Sequence, residues 1–200
     1  MSLFHNRPIL TAALAVFALT TFIYYTTCAP APPYASTMTT NSEPSLSHLQ
    51  VSLSHTSHSS PPALSLVVTN THPSTPLTLL TWNTPLDPLA LQLGLVEVTP
   101  AGSDAPLPLA TIKVSRKLPP GADALVTLGP GESKAQEVVL KEPIVPWKQV
   151  EGGKARVVCK GAWKAVWVGS EVSAGALERM EADEGNLSGE WETEGVEVEI

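Results

Sequence analysis

The chain has 200 residues, 43% of them hydrophobic, and a formal net charge of −7. That supplies a real core for one ordinary domain plus a targeting segment, and argues against two domains. Ten of the twelve Lys and Arg fall between Lys113 and Lys164, while the last thirty residues set ten acidic side chains against Arg179 alone. Nucleic-acid binding needs an uninterrupted basic face, so this polarity argues against it as the main task. Both charged regions read as solvated strand faces and loops.

At the N-terminus Arg7 precedes an uncharged run, Ile9 to Tyr25, and the next charge is Glu43. The run is long for the apolar part of a cleaved leader and near the short end of the roughly 17 to 25 residues that span a bilayer. An uncleaved signal anchor with Tyr24 and Tyr25 at the interface is favoured, with the domain outside the cytosol; a cleaved leader and a secreted product stay open. Residues 1–28 are assigned to this helix-forming segment and 29–47 to a stalk rich in Pro, Ser and Thr.

From residue 48 to 200 the pattern is that of short strands. Leu49, Val51 and Leu53 alternate with polar residues; Leu64, Leu66 and Val68 repeat the period of two, and Leu77 to Trp82 resume it after the turn formers Asn70 to Pro76. The second and third of these segments are expected to pair through that loop. Pro85 and Pro88 impose a bent connection. Strands follow at Leu93–Val98, at Ile112–Val114, and on either side of the Gly129-Pro130-Gly131 turn. Further strands are expected at Ala155–Cys159 and Trp163–Val168, separated by a turn at Gly161, then a short helix within 171–184 and a terminal hairpin of Leu187–Glu192 with Val196–Ile200. The expected fold is an all-β antiparallel sandwich of about eight or nine short strands.

The segments Val67–Thr71, Leu77–Leu86 with its Trp82-Asn83-Thr84-Pro85-Leu86 core, Val126–Ser133 and Gly153–Val157 resemble the immunoglobulin-like pro-region of fungal deuterolysin-type zinc metalloproteases, over about residues 49–168. The resemblance implies an immunoglobulin-like sandwich, and a chaperone or inhibitor that meets a protease through its surface. The His-Glu-x-x-His helix of the protease half, which holds zinc and activates water, is missing from the chain. Metalloprotease activity is therefore not carried over.

No Gly-x-Ser-x-Gly elbow or phosphate-cradling loop occurs, and no catalytic residue, cofactor or metal site is nominated. His48, His55 and His58 lie close in sequence, yet no cysteine or carboxylate beside them completes a metal site. Trp163 and Trp167, four apart on an expected strand, share one face in that reading and, with Trp82, form the candidate binding surface. Cys159, flanked by Val157 and Val158, reads as a small core hydrophobe, and a bridge to Cys28 is not expected. Asn186-Leu187-Ser188 is a formal glycosylation acceptor. The expected function is non-catalytic binding of a protein partner; the alternative is a structural or adhesive display module whose Trp-bearing sheet meets a wall polymer. Membrane contact is expected through residues 9–25, and the oligomeric state stays open.

Overall fold

The computed structural model describes residues 43–57, 60–179 and 186–199. The apolar run at 9–25, Cys28, most of the stalk and His58 lie outside them. Glu43–Ile200 forms one compact unit, and its described residues carry nine antiparallel strands in two sheets that share a core.

The smaller sheet has the order β1-β2-β6, with β1 at Leu49–Ser57, β2 at Ala63–Asn70 and β6 at Ser133–Val139. Its register sets Val51 opposite Val68 and Leu53 opposite Leu66, so the period of two in the sequence becomes one apolar face. Leu64, Leu66 and Val68 are fully buried from that face. The second sheet is built around β7, a 15-residue strand from Lys154 to Val168. Along one edge of β7 run β3, Leu77–Leu80, and β4, Val96–Pro100; β5, Leu125–Leu128, pairs with β3. Along the other edge run β8, Asn186–Glu192, and β9, Val196–Glu199. Leu77, Leu79, Val98, Val157 and Val166 fill the space between the sheets at 0% exposure, which supplies the main hydrophobic drive to the fold.

Several sequence expectations are corrected here. Gly161 does not end a strand: β7 passes through it, and a Cβ at that position would sit 2.7 Å from the Asn83 carbonyl oxygen. Glycine is there for close approach, because the excursion between β3 and β4 presses onto the strand. The terminal segments do not form a hairpin. Both β8 and β9 lie antiparallel to β7, one after the other, as a single line interrupted at Thr193–Gly195. Their alternation is satisfied by the long strand beside them rather than by each other.

Residues Ile112 and Val114 lie in a stretch with no strand pairing among the described residues, 50% and 36% exposed. The helix expected within 171–184 is described only as α1, Ala174–Glu178, begun by the Ser173 side chain accepting the Ala176 N–H; residues 180–185 lie outside the described set.

The segments β2 and β3, expected to pair, belong to different sheets, and so do β5 and β6. Both connections cross the sandwich at one end, and Asn70 ties them together. Its buried side chain donates to the carbonyls of Thr75 and Leu128, each at 2.9 Å, and accepts the His72 N–H at 3.0 Å. The backbone of Asn70 also bonds Glu132 and Gly131 in the other crossing. A buried amide that meets its partners in this way specifies the crossing as well as stabilising it.

Candidate functional site

The strand β7 changes character along its length. From Lys154 to Lys160 its inward side chains are Ala155, Val157 and Cys159, all buried, and its outward ones are Lys154, Arg156, Val158 and Lys160. On the flanking strands Glu97 and Thr99 of β4 and Glu197 and Glu199 of β9 alternate with buried Val98 and Val198 and therefore face outward too. The register sets Lys154 opposite Glu199, Arg156 opposite Glu197 and Lys160 opposite Glu192. The basic middle and the acidic end of the chain thus meet as neighbouring rows.

Lys160 Nζ donates to Glu97 at 2.6 Å, and Lys154 pairs with Glu199 at 3.6 Å. The hydrogen bond and charge of Glu97 raise the Lys160 ammonium above its ordinary value. Arg156 makes no ion pair with the described residues; its guanidinium lies over Gly195, where a Cβ would collide with it.

These rows floor an open groove of about 690 Å³ at the edge of the sandwich, walled by His55 and by the Thr99–Asp104 turn. A second hollow of about 550 Å³ is lined by Lys160, Lys164, Glu190 and Trp191, together with Asn83 and Leu95. Among the described residues no three His, Cys, Asp or Glu side chains are grouped to hold a metal ion. The carboxylates Glu97 and Glu199 are engaged by lysines. What the groove offers is hydrogen bonding of both signs in adjacent rows.

Beyond Lys160 the strand bends. A register shift between Trp163 and Val166 puts Lys164 and Ala165 on one face in succession. Trp163 therefore points into the main core, 6.2 Å from the Trp191 ring, while Trp167 points outward. The expectation that the two share a face is corrected by this bulge.

Trp167 enters a second apolar cluster with Leu80, Ala124 and Ala165, covered by Val172, Ala176 and Leu177 around α1. Trp163 and Trp167 are 2% and 6% exposed, so neither indole face is presented to solvent. Trp82 is half-buried at the edge of that cluster, with the Arg116 guanidinium 5.6 Å from its ring centroid.

The Trp82–Leu86 segment that carries the pro-region resemblance is held from inside. Asp87, fully buried, accepts the N–H groups of Asn83 and Leu89 at 2.9 and 3.0 Å and two bonds from Arg116 at 2.8 and 3.1 Å. Neither Asp87 nor Arg116 stood out in the sequence. Asp87 follows a turn-forming Asn-Thr-Pro-Leu stretch, where a carboxylate that caps its own loop is favoured.

His48 packs edge-on to His72 at 4.7 Å. Cys159 is buried, and desolvation pushes its thiol up to about 12, so it is chemically quiet at neutral pH. Asn186 opens β8 and is partly exposed.

A family model of the immunoglobulin-like domain matches residues 48–200. The chain belongs to that family. An uncharacterized secreted protein of Arthroderma benhamiae is 39% identical to this immunoglobulin-like chain over 109 residues, which cover 54% of the chain and 55% of the relative. The match thus spans about half the length of that relative. Among the described residues of the immunoglobulin-like unit no helix is long and apolar enough to cross a membrane; the apolar run at 9–25 lies outside them.

Proposed function

We propose that this immunoglobulin-like domain is a non-catalytic module, secreted or displayed outside the cytosol, that binds a neutral, hydroxyl-rich wall polymer along the outer face of β4, β7 and β9. The observation that carries the reading is the mixed-sign groove. Lys154 and Arg156 donate, Glu97, Asp104, Glu197 and Glu199 accept, and the Thr99 hydroxyl does both. Every sugar hydroxyl both donates and accepts, so a polysaccharide is matched by alternating rows better than by a face of one sign. The groove is open to solvent along its floor, which suits a polymer too large to be enclosed. The secreted relative supports the location.

The test is co-sedimentation of the full chain with insoluble β-glucan and chitin particles. Retention that survives raised salt, and falls at least tenfold for Arg156→Ala, is the expected result, because a neutral ligand has no counterions to release. Equal retention of wild type and Arg156→Ala, or none for either, contradicts the reading.

A protease chaperone or inhibitor is the finer implication of the pro-region resemblance. Its sharpest carrier, Trp82–Leu86, has Leu86 in the core and its turn bonded to Asp87. The structural duty of that segment accounts for its sequence, and the display module is therefore preferred.

A further inference from the structure

Asn186-Leu187-Ser188 satisfies the acceptor pattern for asparagine-linked glycosylation, and no other asparagine of the chain does so: Asn6, Asn41, Asn70 and Asn83 each lack Ser or Thr two residues on. The acceptor is placed at the start of β8, a strand that among the described residues pairs with β7 alone. Leu187 packs against the main core, so its neighbours Asn186 and Ser188 face the other way, and Ser188 is exposed. The register partner of Asn186 is Trp167. Directly paired residues share a face with their Cβ atoms about 5 Å apart. Trp167 is 6% exposed, and its indole N–H finds no acceptor among the described residues. A buried donor of this kind calls for a partner.

We propose that Asn186 carries an N-linked glycan whose first sugar lies against Trp167 and offers its N-acetyl carbonyl or a hydroxyl to the indole N–H. The glycan flanks the apolar cluster that Val172, Ala176 and Leu177 already cover, at the opposite end of β7 from the groove, and leaves the groove open. Attachment forms the bond between the Asn186 side-chain nitrogen and the sugar anomeric carbon, with the lipid diphosphate of the oligosaccharide donor as leaving group and the amide proton passing to base. The inference rests on the reading that the domain matures outside the cytosol.

The experiment expresses the full chain in a eukaryotic secretory host, separates cytosol, lumen and medium, and measures intact mass before and after peptide-N-glycosidase. Material from lumen or medium is expected to lose one glycan, with Asn186 converted to Asp. The S188A variant is expected to fold without it. Removing the sugar should lower Tm in the wild type by more than in W167F, which keeps an aromatic ring and lacks the indole N–H. Lumenal or secreted chain with Asn186 unmodified overturns the site, and equal Tm changes in wild type and W167F overturn the contact with Trp167. A chain found only in the cytosol overturns the location on which both this site and the display function depend.

Discussion

The two halves of β7 make the instructive contrast in this molecule. They belong to one strand and present the same outer face, yet Lys154–Lys160 shows water a charged groove, whereas Ala165–Trp167 is roofed by an apolar cluster. The boundary is a single bulge near Lys164. One extra residue suffices to move the tryptophan side chain from one side of the sheet to the other, because the side-chain period of a strand is two. An immunoglobulin-like sandwich thereby gains a second, small core outside its first and keeps the rest of that face free.

The contrast breaks most severely at Asp87. Asp87→Ala leaves the Arg116 guanidinium and two backbone N–H groups without their acceptor, and is expected to cost about 3–5 kcal/mol in urea unfolding. A loss below about 1 kcal/mol would mean that the excursion is held by other contacts.

Truncation on either side of the boundary comes next. Trp167→Ala should destabilise by about 3 kcal/mol, whereas Arg156→Ala, in the exposed half, should stay within about 0.5 kcal/mol. Equal effects at the two positions would erase the distinction between covered and open halves. Gly161→Ala is expected to cost about 1–3 kcal/mol, since the new methyl meets backbone that cannot swing aside; its check is a downward shift in Tm with the native circular dichroism retained.

The last effect is on pH dependence and is confined to alkaline pH. Burial raises the Cys159 thiol from 9.0 to about 12, so the folded state keeps a proton that the unfolded chain gives up. Its contribution is fully present below about pH 9 and is lost as pH rises toward 12. Between those values wild type should lose up to about 1.4 kcal/mol per pH unit more than Cys159→Ala, compared in a Cys28→Ser background. Parallel slopes would show the thiol to be exposed to titration in the folded state.

The strands themselves were legible wherever the period of two was clean. Leu64, Leu66 and Val68 announced a buried face, and Val196 and Val198 announced another. Which strand pairs with which was not legible, because pairing is decided at a distance. Asn70 looks like an ordinary turn former in sequence, and only the crossing of two connections shows why its amide is buried. Trp163 and Trp167 misled for a local reason, since nothing in Lys164-Ala165 marks a bulge. The groove was written in the sequence as two separate charge blocks, and their meeting needed the antiparallel register of β7 with β9. Ile112 and Val114 carry a strand pattern, but among the described residues no strand pairs with them.

The most direct test of the functional account is amide chemical-shift mapping of the full chain titrated with a soluble β-glucan or chitin oligosaccharide. Binding through the charged half of β7 predicts saturable shifts confined to Thr99–Asp104, Lys154–Val158 and Glu197–Glu199, with the Trp167 indole signal unmoved. Shifts centred on Trp167 and α1, or no saturable shift at millimolar sugar, would contradict it.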